Sequence, residues 1–137
     1  MNAGLNRPQE DELALLQAHT EKLTWSCLLF LLHRKPAHGY ELIQSLNELG
    51  LAESEADPAT IYRNLRRMEE EDLVTSRWEA GLSGPARRLY HLTPAGEAAL
   101  HLLAHLLREK KAKIEEFLGR YRELFPDGPA GNGKEGD

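Results

Sequence analysis

The chain has 137 residues, 41% hydrophobic and 28% charged, with a formal net charge of −5, which suits one globular domain with a real hydrophobic core. A single cysteine, Cys27, excludes an intrachain disulfide, and the longest apolar run, Cys27–Leu32, is far too short to span a bilayer. Net acidity excludes recognition of a polyanion by bulk charge, though not by charge placed locally.

The charge is unevenly placed. Residues 1–12 set Arg7 against Glu10, Asp11 and Glu12, and residues 126–137 set Lys134 against Asp127, Glu135 and Asp137, leaving the body between them close to neutral. Cys27 lies in an apolar run and reads as a core filler, in keeping with a reducing cytosol. No basic-then-apolar leader is visible at the start, so a soluble, cytoplasmic protein without membrane contact is expected.

Residues 1–7 show no pattern. Pro8–His19 predicts a helix, with proline first, acids in the first turn and a narrow face of Leu13, Leu15 and Leu16; residues 1–19 thus read as an N-terminal extension. A stronger helix follows from Thr20 to His33 on Leu23, Cys27, Leu28, Leu31 and Leu32, and Pro36 ends it. His38, Gly39 and Tyr40 open the next helix, which carries Leu42, Ile43, Leu46 and Leu49 and meets a C-terminal cap at Gly50. Glu53–Ala56 makes a short acidic turn.

Asp57 and Pro58 then start a helix over Asp57–Glu71, one as N-cap and the other at the first helical position. Ile61, Leu65 and Met68 form its inward stripe. Thr60, Arg63, Asn64 and Arg67 fall on another face, with Tyr62 and Arg66 at its edges. Basic charge crowds the middle and Glu69, Glu70, Glu71 and Asp72 crowd the end, an order that opposes the helix dipole. Local helix stability does not explain that order; a polyanion approaching the N-terminal half does. Two short helices, the second bearing the exposed charge, suit a helix-turn-helix whose second helix enters a DNA major groove.

Leu73–Glu79 alternates Val74, Ser76 and Trp78 against Thr75, Arg77 and Glu79, Gly81–Pro85 supplies turn residues, and Ala86–Leu92 reads as a return strand. A hairpin directly after a recognition helix is a wing, and Arg77, Arg87 and Arg88 on it are placed to reach phosphates or a minor groove. Trp78 is expected to pack between wing and body.

Thr93 and Pro94 start a last helix running to Phe125, roughly 48 Å at about 1.5 Å per residue. Leu100, Leu107, Ile114 and Tyr121 take one heptad seam position; Leu103, Lys110, Phe117 and Leu124 take the other. Ala99, Leu102 and Leu106 make the early half apolar on a second side. That pattern predicts contact with the winged domain and with a partner subunit in the early turns, and with the partner alone later. The expected fold is mainly α with a small β-hairpin: a winged helix-turn-helix domain over residues 20–92, a dimerisation helix over 93–125 and a disordered tail over 126–137.

Gly39-Tyr40-Glu41-Leu42, Pro58-Ala59-Thr60-Ile61-Tyr62, Leu65-Arg66-Arg67-Met68-Glu69, Leu73-Val74 and Leu92-Thr93-Pro94-Ala95-Gly96, in that order and at those separations, resemble the PadR-like transcriptional regulators. The resemblance runs from about Leu23 to the end of the long helix. It implies a homodimeric winged-helix repressor that binds a pseudopalindromic operator in double-stranded DNA and leaves it on a small, aromatic ligand or a stress signal. By that resemblance Thr60, Tyr62, Arg63 and Arg66 face DNA, Arg87 and Arg88 belong to the wing, and Tyr40 matches the motif that opens the preceding helix. The family pattern usually has glycine where this chain has Asp72.

The resulting DNA-binding set is Tyr40, Thr60, Tyr62, Arg63, Asn64, Arg66, Arg67, Arg77, Arg87 and Arg88. The bland alternative for its arginines is a solvated face pairing with Glu69, Glu70 and Glu71, at only a few tenths of a kcal/mol per pair. The expected dimer seam is Leu100, Leu103, Leu107, Ile114, Phe117, Tyr121 and Leu124. Trp25 sits off the main stripe of its helix, either lining a ligand cavity or packing under the N-terminal extension. Glu97, His101 and His105 share a helical face, but with no fourth ligand or paired acid nearby no metal is expected. No cofactor is expected, and no catalytic constellation is visible: there is no nucleophile with a paired acid, no HExxH and no phosphate loop. Two other readings stay open, a winged-helix module that binds protein and a MarR-like repressor.

Overall fold

The computed structural model describes residues 23–51, 56–81, 84 and 86–129. The expected helix Pro8–His19, most of the acidic turn, three residues of the hairpin turn and residues 130–137 of the tail lie outside these. The described elements are helix α1 (residues 23–34), strand β1 (Ala37–His38), helix α2 (Gly39–Leu49), helix α3 (Pro58–Glu70), strands β2 (Val74–Glu79) and β3 (Arg87–Leu92), and helix α4 (Pro94–Leu124). The chain divides into two compact units, Met1–Leu103 and Ala104–Asp137.

The first unit is mainly helical with a small three-stranded antiparallel sheet in the order β1-β3-β2. The expected wing is present, with Val74 opposite Leu92 and Glu79 opposite Arg87. The third strand was not anticipated: Ala37 pairs with Tyr90 and His38 with Leu89, a segment too short to show a period of two. Leu28, Leu29, Leu42, Leu65, Met68 and Val74 are fully buried, joining α1, α2, α3 and the wing in one core. Each such side chain contributes about 1.5–3 kcal/mol of transfer free energy. Cys27 is buried too, and that burial pushes its thiol pKa up, away from the reactive thiolate.

Local rules explain the helix ends. Gly50, at φ 66°, caps α2 with its amide on the Leu46 carbonyl. At the end of α3, Leu73 N donates to Met68 O at 2.9 Å and Asp72 N to Glu69 O at 3.0 Å, the two bonds of a Schellman motif. That motif needs a left-handed residue between them, and Asp72 supplies it at φ 64°. Thr93 caps α4, its hydroxyl accepting from Gly96 N at 2.9 Å and donating towards the Asp72 and Leu73 carbonyls at 2.7 and 2.9 Å. A Cβ on Gly96 would run into the Leu73 carbonyl and the Leu92 side chain, so the Thr-Pro-Ala-Gly start docks α4 on the sheet at a distance only glycine permits.

The early turns of the long helix pack on the winged domain. Leu100 and Leu103, expected in the dimer seam, pack with Ala99 against the core of their own domain, while Leu102 and Leu106 are exposed. The sequence pattern anticipated this contact with the winged domain in the early turns, and both leucines are only partly buried by it. In the second unit Ile114, Phe117, Leu118, Leu124 and Phe125 are exposed, and the Phe117, Tyr121 and Phe125 rings follow one another at 6.4 and 5.2 Å.

Candidate nucleic-acid interface

Helix α3 begins as its sequence predicts. Asp57 Oδ2 accepts from Thr60 N at 3.1 Å and from Thr60 Oγ1 at 2.7 Å, bonds that hold the Asp57 carboxyl below its ordinary pKa. Arg63 Nη2 reaches the same Thr60 hydroxyl at 3.4 Å. Ile61, Asn64, Leu65 and Met68 are the buried face, which leaves Tyr62, Arg63, Arg66 and Arg67 outside.

A cleft of about 640 Å³ lies between the start of α2, the outer side of α3 and the wing. Tyr40, Tyr62, Arg66, Arg87 and Arg88 line it, with Trp78 at the wing and Glu69 and Glu70 towards the end of α3. Tyr62 lies over Gly39, where any Cβ would meet its ring, so the glycine before Tyr40 makes room for a residue of the next helix. Arg87 is held over Tyr40, its guanidinium carbon 5.2 Å from the ring centroid and its Nη1 donating to the phenolic oxygen at 2.9 Å. His38 stacks on Tyr40 and bridges α2 to the wing, Nδ1 lying 3.1 Å from Glu41 Oε1 and Nε2 2.9 Å from Glu79 Oε1. Arginines of α3 and of the wing therefore line one concave surface. Such a surface suits phosphates, which accept from arginine in a forked geometry.

Other expected residues go elsewhere. Asn64 is corrected: it is only 3% exposed, and its Oδ1 accepts from Trp25 Nε1 at 3.0 Å. Arg67 stands with its guanidinium 5.8 Å over the Trp25 ring, on the α1 side of the helix and away from the cleft lining. Trp25 is thus a packing residue with a buried polar partner, and the residues lining the described cleft do not include it. Arg77 is exposed but shares the outer sheet face with Leu89, its register partner, and does not line the cleft. Trp78 is corrected in the other direction: it is 63% exposed rather than packed on the body, with Arg88 across its ring at 4.8 Å. The antiparallel register, which sets Trp78 opposite Arg88, is the signal that could have found this pair. Glu97 lies 3.7 Å from His101 Nε2 and also from His33 Nε2, whereas His105 pairs with Glu109 at 3.2 Å. Among the described residues no group of three acids, histidines or cysteines is disposed to hold a metal ion, and no helix is long and apolar enough to cross a membrane.

Residues 28–102 match the model of the transcriptional regulator PadR-like family. A transcriptional regulator of Mycobacterium tuberculosis is 43% identical over 63 residues, which span 46% of this chain and 55% of that protein, about half its length. The structure of a PadR-like transcription factor from Bacteroides fragilis is similar at a TM-score of 0.62 and 29% identity, covering 76% of this chain and 98% of that one. A PadR family transcription regulator from Clostridium difficile is similar at 0.60 and 28% identity, covering 69% and 97%.

Proposed function

The chain belongs to the PadR-like family of transcriptional regulators, a family of regulators and not of enzymes, and from that premise we propose that it is a homodimeric repressor which docks α3 in the major groove of operator DNA. One observation carries this reading: Arg66 of α3 and Arg87 of the wing line one cleft with Tyr40 and Tyr62. On docking, Thr60, Tyr62 and Arg63 meet the groove and its near backbone, and Arg66 and Arg87 clasp the phosphates between α3 and the wing. Asn64 leaves the set because it is buried, and Arg67 and Arg77 become flanking charges.

The dimer forms through the exposed apolar face of α4, with Leu107, Ile114, Phe117, Tyr121 and Leu124 as its seam. The exposure of Ile114, Phe117 and Leu124 supports this, since a contiguous apolar stripe on a charged helix calls for a partner. Two-fold pairing sets the α3 helices about 34 Å apart, matching half-sites one DNA turn apart. Release from DNA by a small aromatic effector or a stress signal belongs to the same reading and rests on the family alone. Competition between a duplex selected by the purified protein from its own genome and an unrelated duplex of equal length tests the function. The selected duplex should bind at least ~10³-fold more tightly at physiological salt. Equal, weak binding to both would favour a protein-interaction module.

A further inference from the structure

The wing carries an apolar group that phosphate clasping leaves unused. An indole is normally a core or interface group, yet Trp78 is 63% exposed. It is nonetheless held in place. Arg88, its register partner, lies across one face of the ring at 4.8 Å. Arg88 is fixed in turn, with Nη1 donating to Ser76 Oγ at 2.5 Å and standing 3.7 Å from Glu69 Oε1. Ser76 Oγ, accepting from Arg88, donates to the Glu69 carboxylate at 3.0 Å. A connected set of side chains thus runs from α3 to the wing and ends on an indole that lines the same cleft as Arg66 and Arg87.

That arrangement spends the guanidinium of Arg88 on neighbours within the chain and leaves the second face of the indole open. The surface presented is a flat apolar ring in a cleft where Arg66 and Arg87 stand with Glu69 and Glu70. Its complement is a partner in which flat or ring-shaped apolar groups alternate with anions, as the sugars and bases of a nucleic acid alternate with its phosphates.

We propose that Trp78 is a nucleic-acid-contacting residue of the wing, its indole laid against a sugar of the bound duplex, and that Arg88 is the positioning residue that holds it rather than a phosphate ligand. This rests on the DNA-binding reading above. The test uses the full-length chain and a dye-labelled duplex selected by the wild-type protein, with affinity followed by anisotropy over a salt series. Trp78→Ala should weaken binding about tenfold through loss of buried apolar area, with the slope of log affinity against log salt unchanged, because an apolar contact releases no counterion. Trp78→Phe should recover part of the loss. Arg88→Ala should also weaken binding at an unchanged slope.

The chain has two tryptophans, so Trp25→Phe leaves Trp78 as the sole indole. Its emission should change when the duplex is added, and Arg88→Ala in that background should abolish the change. Should Trp25→Phe fail to fold, the emission change is read in the wild type with Trp78→Phe as the blank. Wild-type affinity in Trp78→Ala overturns the proposal for the indole. A slope reduced by about one unit in Arg88→Ala overturns the proposal for the arginine, since that is the mark of a lost phosphate contact. A wild-type protein that selects no duplex overturns the DNA reading and this inference together.

Discussion

Asp72 occupies the left-handed turn that ends α3, at φ 64°, in the slot where the family pattern usually has glycine. A Cβ in that region costs about 1–2 kcal/mol, less for aspartate than for most residues. Asp72→Gly should therefore raise stability by roughly 0.5 kcal/mol, after the greater chain entropy that glycine loses on folding. Asp72→Val should lower it by about 1–2 kcal/mol; a thermal melt with the opposite order would show the turn to be unstrained. Residue-level reading succeeds here because one backbone bond pattern demands one conformation. It fails at Asn64, where polarity outweighed periodicity. Asn64 lies three residues after Ile61 and four before Met68, on the buried stripe, and the half-buried Trp25 gives it a partner through Nε1. Trp78 fails for the converse reason: hydrophobicity suggested burial, while the cross-strand arginine that accompanies it at the surface becomes visible only with the register.

At the scale of elements, short-range chemistry was legible and long-range occupancy was not. The Asp57 cap, the Gly50 stop, the wing and the Thr93 start follow from local donors, acceptors and allowed φ angles. The two-residue β1 follows only from tertiary contacts. Gly96 marks the contrast. Gly96→Ala, harmless to an isolated helix, should destabilise the protein by about 1–3 kcal/mol in denaturant titration, because the obstacle is the Leu73 backbone. Loss of a few tenths or less would mean that α4 can shift on the sheet.

The start of α2 makes a pH-dependent prediction. His38 N donates to Glu41 Oε1 at 2.8 Å, and this backbone hydrogen bond is the main reason that the Glu41 pKa lies below its ordinary value. A lowered folded-state pKa contributes stability above the unfolded value near pH 4.3, lost as pH falls through the folded value. Glu41→Gln should thus cost about 0.5 kcal/mol at pH 7, the low end for a cap because the side chain is 41% exposed. The two stability curves should converge below pH 4, and a constant gap would assign the effect to packing.

For the molecule as a whole, the net charge of −5 obscures the proposed function, because the proposed recognition surface is a local concentration of arginine rather than an excess. That the arginines of α3 and the wing belong together could be guessed from the order of elements. Which of them share a surface could not, since Arg67 turns towards Trp25 and Arg66 towards the wing. The proposed dimerisation belongs to this scale too. Ile114→Glu should give a monomer in sedimentation and weaken binding to a two-half-site duplex by at least ~10²-fold, as avidity between linked sites is lost. A dimer of unchanged affinity would move the seam elsewhere. The most direct measurement is the salt dependence of duplex affinity for the wild type, Arg66→Ala and Arg87→Ala. Each substitution should reduce the slope by about one unit while leaving the melting temperature nearly unchanged. Slopes identical to wild type would contradict the claim that this cleft grips phosphates.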